Sequence, residues 1–409
     1  MKEQIQKNIV LGLFIALLGI VVGAVVWFLL WVMDLGISFL WEWVPSQLSL
    51  PPWYTVAVCG CGGGLVGILQ HYFGPCPSPL AEDMAKIRGG ERLPYDKLPI
   101  IAVCALVPLI FGGSIGPEAG LTGIIAGLCF WLADRFKTSY IEVEELAQVG
   151  IAATLGAIFK APLFGCVHNV EDAGGESKIP KTSKTVFYFI AILSGFGVFT
   201  ALSHYLGGGM GLGRFTGITI GRNEWLLMIP IAVAGSLVGM AFQGFTRLSR
   251  WLVRPLADKK ILLGVIGGVA LGGVAMALPY TMWSGESQMT QVMEGWQAVP
   301  AALLFATALV KLFMTNFCIE TGWRGGNIFP IIFSGVCFGY GCAALLPMIN
   351  PAFCVAVATA SVVGAVMRKP LAVVMLLMLC FPVDAIVPML AGAYIAAAIP
   401  MPGVLESKK

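Results

Sequence analysis

The octet GAIFKAPL at Gly156–Leu163 recurs as GAVMRKPL at Gly364–Leu371. The two copies share their initial Gly and Ala and their final Pro-Leu. A stretch rich in Gly and Pro precedes each octet, GGSIGPEAG from Gly112 and GWRGGNIFP from Gly322. Repeated halves with interrupted helices at matching positions are typical of transporters built from internal repeats. The repetition therefore predicts a duplicated chain whose binding site lies where the repeats meet.

The composition is that of a membrane protein. Of the 409 residues, 58% are hydrophobic and only 11% are charged, whereas a globular domain carries about 25% charged residues. Apolar runs such as the one that starts at Ile9 exceed the roughly 20 residues that a helix needs to cross a bilayer. We expect an all-α polytopic membrane protein with a first repeat at 1–206, a connection at 207–222 and a second repeat at 223–409.

The polar residues exclude several classes of protein. A net charge of +3, with Lys and Arg in short connections, gives no support for nucleic-acid binding. Basic connections such as the one around Arg250 and Arg254, and the Lys-bearing N-terminus, are expected in the cytoplasm. The three histidines, His71, His168 and His204, stand in unrelated contexts. The sequence predicts no metal, no cofactor and no enzyme activity.

Glu118 is the principal candidate for function. It follows Gly116 and Pro117 and opens a long apolar run, and proline favours the first turn of a helix. Free amides and the positive end of the dipole make such a helix start an anion site. A deprotonated Glu118 would occupy that site, and its protonation would release it, which couples anion passage to proton movement. The alternative is an ordinary acidic residue that stabilises its own helix.

A second candidate anion-binding element is Gly326-Asn327-Ile328-Phe329-Pro330. Glycine lets a backbone approach an ion closely. The amides of Asn327 and Ile328 are expected to face the same space as Glu118.

These motifs, in this order, resemble those of the CLC superfamily of anion channels and anion/proton antiporters, and the resemblance covers nearly the whole chain. The segment Gly116–Gly120 is similar to the family's Gly-x-Glu-x-Pro motif, with Gly in place of the final Pro. The segment Gly326–Pro330 is similar to Gly-x-Phe-x-Pro, with Ile in place of Phe. The resemblance implies an inverted repeat with broken, tilted helices, a homodimer, and Glu118 as gate and proton carrier. It also implies anion binding by Gly116, Pro117, Gly326, Asn327 and Ile328.

The proton path is expected to include further carboxylates. Ala161–Gly165, followed by Glu171 and Asp172, resembles the segment that ends in two acidic residues in proton-coupled members of the family. The resemblance implies that Asp172 is the inner proton-transfer residue and Glu171 its neighbour. Glu320 precedes the second anion-binding element and is either a further proton-path residue or a structural partner of Arg324.

Two departures from the family concern the central anion ligands. The usual Gly-Ser-Gly-Ile-Pro motif corresponds to Gly74–Pro79, where Ser78 is a candidate ligand. The family's central tyrosine lies in a later helix, so Tyr394 is a substitute ligand or an aromatic anchor at the membrane interface. A divergent bacterial branch that exchanges fluoride for protons shares these absences. Lys311, inside an apolar run, is expected to be paired or to snorkel towards the interface.

The function expected from these residues is antiport of chloride or fluoride with protons, in a bacterial inner membrane with a cytoplasmic N-terminus. A passive chloride channel on the same fold is the first alternative. An organic-solute transporter is a more distant one, because its site would need side-chain hydrogen bonds or an aromatic box.

Overall fold

A computed structural model describes residues 2–48, 50–136, 143–162, 164–165, 181–208 and 213–400. These residues are mostly helical and contain no β-strand, which confirms the all-α prediction. The chain forms two compact units that alternate along the sequence. The first unit comprises Met1–Phe39, Cys76–Leu106 and Pro117–Met210, and the second comprises Leu40–Pro75, Val107–Gly116 and Gly211–Lys409.

The helices vary greatly in length, as expected for a chain interrupted by Gly and Pro. They are α1 (Lys2–Ser38), α2 (Val44–Gln47), α3 (Tyr54–Phe73), α4 (Leu80–Arg88), α5 (Leu98–Ile110), α6 (Glu118–Phe136), α7 (Val143–Ile158), α8 (Lys181–Leu206), α9 (Arg222–Val253), α10 (Lys260–Ala277), α11 (Glu286–Gly295), α12 (Ala301–Glu320), α13 (Ile328–Leu345), α14 (Pro351–Met367), α15 (Pro370–Leu377) and α16 (Ile386–Ala398).

Seven helical stretches of the described chain are long and apolar enough to cross a membrane. They are Ile9–Gln47, Tyr54–Phe73, Val186–Leu206, Arg222–Leu256, Lys260–Ala277, Ala301–Glu320 and Ile328–Leu345. Helix α4 is not among them, because it has only nine residues and four of these are charged.

In the first unit, α1 packs along α8, and α7 packs on both α6 and α8. The contact between α1 and α8 is close because Gly19 and Gly23 of α1 face the backbone of Ala191 and Gly195 in α8. Small residues of this kind let membrane helices approach backbone to backbone.

In the second unit, α3 packs along α10, and α13 packs on α12 and α14. Gly63 of α3 and Gly264 of α10 lie so close that a methyl group on either would overlap the carbonyl of the other. Nearly every residue of α13 is buried, as expected for a helix that is apolar on all sides. The helix that begins at the second candidate anion-binding element is thus an interior element of its unit.

The two repeated octets share a local backbone conformation. Helix α7 ends at Ile158 and α14 ends at Met367. The basic residue at the fifth position of each octet then adopts the left-handed region, with φ of 48° at Lys160 and 57° at Arg368. Positive φ is uncommon outside glycine. The sequence similarity of the octets therefore extends to the way in which each one ends its helix.

Candidate functional site

The loop Gly112–Gly116 connects α5 to α6 and belongs to the second unit. The chain reverses at Gly112, which has a φ of +91°. The amide of Gly113 donates to the carbonyl of Pro108 at 2.8 Å, and the carbonyl of Gly112 accepts from the amide of Trp283 at 3.0 Å. The Ser114 side chain is fully buried. The Gly112–Gly116 loop is therefore fixed by hydrogen bonds and burial rather than exposed to solvent.

This loop is paired with the second Gly-rich element. The Gly116 amide donates to the Gly326 carbonyl at 2.8 Å, and the Gly326 amide donates to the Gly116 carbonyl at 2.7 Å. A side chain at Gly325 would come within 2.9 Å of the Gly116 carbonyl and would overlap Ile115. Only glycine fits there, so the two stretches that the sequence singled out are held in direct backbone contact.

Helix α13 begins directly after this contact, at Ile328. Asn327 is its N-cap residue, but its side chain makes no capping hydrogen bond. The amides at a helix start have no partner inside the helix and attract anions. The second candidate anion-binding element thus ends in a helix start, and its role in binding an anion stays a prediction.

Glu118 is the first residue of α6, as the sequence predicted. The amide of Leu121 donates to the Pro117 carbonyl at 3.0 Å, and the Thr122 hydroxyl donates to the Glu118 carbonyl at 2.7 Å. The Glu118 side chain is only 1% exposed. A carboxylate at this place is stabilised by the positive end of its helix, which allows a buried anionic side chain at the helix start.

Asp83, on α4 of the first unit, is a buried carboxylate that sequence reasoning missed. Its side chain is 4% exposed, and a methyl group at Gly123 of α6 would lie 3.2 Å from Asp83 Oδ2. Burial raises the pKa of Asp83 to about 6, while the hydrogen bond from Ser78 acts in the opposite direction. Asp83 and Ile87 lie one turn apart on the buried face of α4. Ser78, a candidate anion ligand, therefore already donates to a carboxylate.

The structure also gives the contacts of Glu320 and the exposure of Tyr394, two further residues that the sequence singled out. Glu320 forms an ion pair with Arg250 of α9, with Nε 2.8 Å from Oε1, and its side chain is 21% exposed. The sequence had offered Arg324 as its partner and did not identify Arg250. Tyr394 is 52% exposed on α16, an environment more typical of an interfacial aromatic residue than of an enclosed ligand. Glu171 and Asp172 lie outside the described residues.

Of the two alternatives expected for Lys311, pairing and snorkelling, the structure shows a paired side chain. Its side chain is fully buried, so it does not snorkel towards an interface. Its Nζ donates to three backbone carbonyls, those of Thr281 at 3.1 Å, Met282 at 2.8 Å and Trp283 at 2.6 Å. Because carbonyl groups of a distant turn leave no sequence signature, this arrangement could not be read from the pattern around Lys311.

Metal ligation has no support within the described ranges, where no three His, Cys, Asp or Glu side chains cluster in a way that could hold an ion.

Comparison with known proteins gives consistent results. The family model described as "Voltage gated chloride channel" matches residues 62–400. The putative ion-transport protein YfeO of Escherichia fergusonii is 26% identical over 350 residues, which cover 81% of this chain and 78% of that protein. The protein of the same name from Shigella flexneri has the same identity and coverage.

Two solved structures share the fold over nearly the whole chain. A slow cyanobacterial Cl⁻/H⁺ antiporter matches with a TM-score of 0.81 and 17% identity, over 96% of this chain and 93% of that one. A CLC-type fluoride/proton antiporter matches with a TM-score of 0.75 and 20% identity, over 95% of both chains. With its family match, its shared fold and its apolar helices, this chain belongs to the CLC family of voltage-gated chloride channels and is a multi-pass membrane protein.

Proposed function

We propose that this protein exchanges a small halide anion for protons across the membrane, with Glu118 as both gate and proton carrier. Membership of the CLC family supports anion transport. The observation that carries the proposal is the position of Glu118, which is buried and opens α6 two residues after Gly116. Buried carboxylates in membrane segments are costly and mark ion or proton pathways.

The anion is bound mainly by backbone groups in this proposal. The amides of Asn327 and Ile328 at the start of α13 supply the hydrogen bonds, and the helix dipole supplies a favourable potential. The Gly116 and Gly326 contact holds the two binding stretches in register, and Gly116 and Pro117 lead directly into α6. Backbone amides can contact an ion directly but cannot recognise the functional groups of a larger solute. A site built from them therefore suits a small anion.

Glu118 couples the anion to the proton through charge competition. The ionised carboxylate takes the place of an anion at the start of α6 and closes the path. Protonation removes its charge, so it no longer competes for a site with a positive potential. Each time the anion path opens, Glu118 therefore holds one proton, which it can pass on when the path closes again.

The inner part of the proton path is assigned to Asp172 and Glu171. Glu320 is the less suitable candidate, because its carboxylate already accepts a hydrogen bond from Arg250 Nε at 2.8 Å, a contact that would have to break before Glu320 could relay a proton.

The halide is chloride or fluoride. Ser78 donates to Asp83 and Tyr394 is half exposed, so neither hydroxyl is well placed as an enclosed ligand. The fluoride branch of the family also lacks the usual serine and tyrosine ligands. Both halides are therefore tested below. We further propose a homodimer in a bacterial inner membrane with a cytoplasmic N-terminus, and a transporter rather than an enzyme.

The decisive test uses purified protein in liposomes loaded with chloride or with fluoride. An outward anion gradient is imposed, and external pH and anion concentration are followed together. We expect the anion gradient to drive protons against their own gradient, and the faster anion identifies the substrate. Anion efflux without proton movement would replace the proposal by a passive channel, and efflux of neither halide would overturn it.

A further inference from the structure

We propose that Lys311 is a positioning residue for anion transport. Its ammonium group holds the Thr281–Trp283 turn, and that turn holds the Gly112–Gly116 loop. This inference rests on the proposed function, since that loop leads to Gly116 and Glu118. All of the contacts that carry it lie within the second unit.

The Lys311 side chain is an enclosed ammonium group. Three carbonyl acceptors lie within 3.1 Å of Nζ, and a nitrogen that donates to three acceptors needs all three of its protons. The Phe333 ring of α13 adds a cation–π contact, with its centroid 5.6 Å from Nζ. No carboxylate of the described chain lies within ion-pair distance of Nζ. Within the described residues, the positive charge is thus balanced by carbonyl dipoles and the Phe333 ring rather than by a carboxylate.

Stability alone does not account for a lysine at this position. Burying a charge is costly even when it is hydrogen-bonded, and replacing buried charges with packed apolar groups is often neutral or stabilising. A side chain such as methionine would fill the same space without that cost. The ammonium group is therefore better explained by what its three hydrogen bonds hold in place.

The Thr281–Trp283 turn transmits this constraint to the Gly112–Gly116 loop. Trp283 has a φ of 52°, in the left-handed region that non-glycine residues rarely adopt. Its carbonyl accepts from Lys311 while its amide donates to Gly112 at 3.0 Å. Its ring packs edge-on against Trp41, with 5.2 Å between centroids, and the Trp41 indole donates to the Ile110 carbonyl at 2.9 Å. One residue thus links Lys311 to the start of the loop.

The same face of α12 also contacts the middle of the loop. Thr315 follows Lys311 by one turn, and its hydroxyl lies 3.3 Å from the hydroxyl of Ser114. One turn further, the Cys318 thiol lies at hydrogen-bonding distance from the Ser114 amide. Residues spaced by three and four share a helix face. Lys311, Thr315 and Cys318 therefore form one polar face that supports the loop up to the contact between Gly116 and Gly326.

Asn316 provides a matched control on the neighbouring face of the same helix. It is also buried, and its Nδ2 donates to the carbonyls of Phe242 and Leu312. Its Oδ1 accepts from Thr246 at 2.6 Å. These partners lie on α9 and α12, away from the loop, so Asn316→Leu removes a comparable buried polar group without touching the proposed support.

The test compares wild type with Lys311→Met, Lys311→Arg and Asn316→Leu. Halide efflux from liposomes gives the anion KM and the maximal rate, and hydrogen exchange of the purified protein reports on peptides that cover Gly112–Gly116. We expect Lys311→Met to raise the KM about tenfold or more, since small misplacements of binding groups are costly, and to speed exchange in the loop. Lys311→Arg should recover part of both properties, and Asn316→Leu should keep the wild-type KM and loop exchange.

Two outcomes would overturn the inference: a wild-type KM and loop exchange in Lys311→Met, or equal changes in Asn316→Leu. If Lys311→Met does not yield monodisperse protein, Lys311→Gln is measured instead with the same criteria. Halide efflux without proton coupling in wild type would count against the proposed exchange alone, because the KM comparison still stands. If wild type carries no halide, loop exchange still decides whether Lys311 positions the loop.

Discussion

Gly116 and Gly326 donate their amides to each other's carbonyls, at 2.8 and 2.7 Å. This pairing joins two loops that are distant in sequence, and each loop is followed within two residues by the start of a helix. Within the second unit, the position of the α13 amides relative to the Gly112–Gly116 loop therefore depends on a contact that contains no side chains. Substitutions that disturb this backbone contact are expected to affect transport before they affect the overall fold.

Gly325→Ala is the first such substitution. The added methyl group would overlap Ile115 and crowd the Gly116 carbonyl, so the two loops must separate. We expect a loss of stability of about 1–3 kcal/mol together with a marked fall in anion flux. Gly273→Ala in α10 is the control, because a methyl group there meets no atom within 4 Å. Equal flux in the two variants would show that the Gly116–Gly326 contact does not set the transport geometry.

Glu118→Gln should abolish proton coupling while anion movement persists or changes independently. Glutamine mimics the protonated, uncharged side chain and cannot carry a proton. Proton flux driven by an anion gradient in liposomes is the measurement. Glu82→Gln, an exposed carboxylate ion-paired with Lys86, should keep wild-type coupling. Coupled proton flux that survives in Glu118→Gln would move the proton carrier elsewhere.

The double variant Glu171→Gln with Asp172→Asn should lose proton transport and keep a passive anion leak. Both changes remove the ionisable groups assigned to the inner path while preserving side-chain size. Glu320→Gln is the informative comparison, because the Arg250 ion pair argues against a proton-path role. We expect it to remain coupled. The reverse pattern, with coupling lost only in Glu320→Gln, would assign the inner path to Glu320.

Asp83→Asn should change how stability depends on pH. Burial raises the pKa of Asp83 from 3.8 to about 6, so the folded state holds this proton more tightly than the unfolded chain. The stability of wild type should therefore fall as pH rises from about 4 to about 6 and then level off. Asp83→Asn lacks this loss and should unfold at a higher temperature than wild type at neutral pH.

Thermal unfolding in detergent, followed by tryptophan fluorescence at several pH values, measures this difference. The advantage of Asp83→Asn over wild type should shrink as the pH is lowered through this window. Glu91→Gln, in the exposed connection after α4, is the control for the loss of a surface carboxylate. A difference between Asp83→Asn and wild type that does not vary with pH would mean that Asp83 does not titrate between these limits.

The helix starts could be predicted because their signals are local. Pro117 before Glu118, and Gly326 with Pro330 around Ile328, mark the beginnings of α6 and α13 through backbone preferences of the residues themselves. The repeated octets could be recognised for the same reason, since their shared letters correspond to a shared helix end.

The partners of the polar side chains could not be predicted in this way. The carbonyls that hold Lys311 come from a turn some thirty residues earlier, and Arg250 reaches Glu320 from a different helix. Such contacts are set by how helices pack, and the sequence around each residue carries no record of them. Asp83 was missed because its burial depends on α6 lying against its face of α4.

The glycine contact between α3 and α10 limits how the second unit can move. Because Gly63 and Gly264 bring main chain against main chain, no flexible side chains lie between these helices at that point to absorb a displacement. Separating them would open an empty gap, and sliding one along the other would drive carbonyls into Cα atoms, both of which close-packed interiors resist. Helices α3 and α10 are therefore expected to move together as one rigid body. Any conformational change in this unit must then occur between other helices.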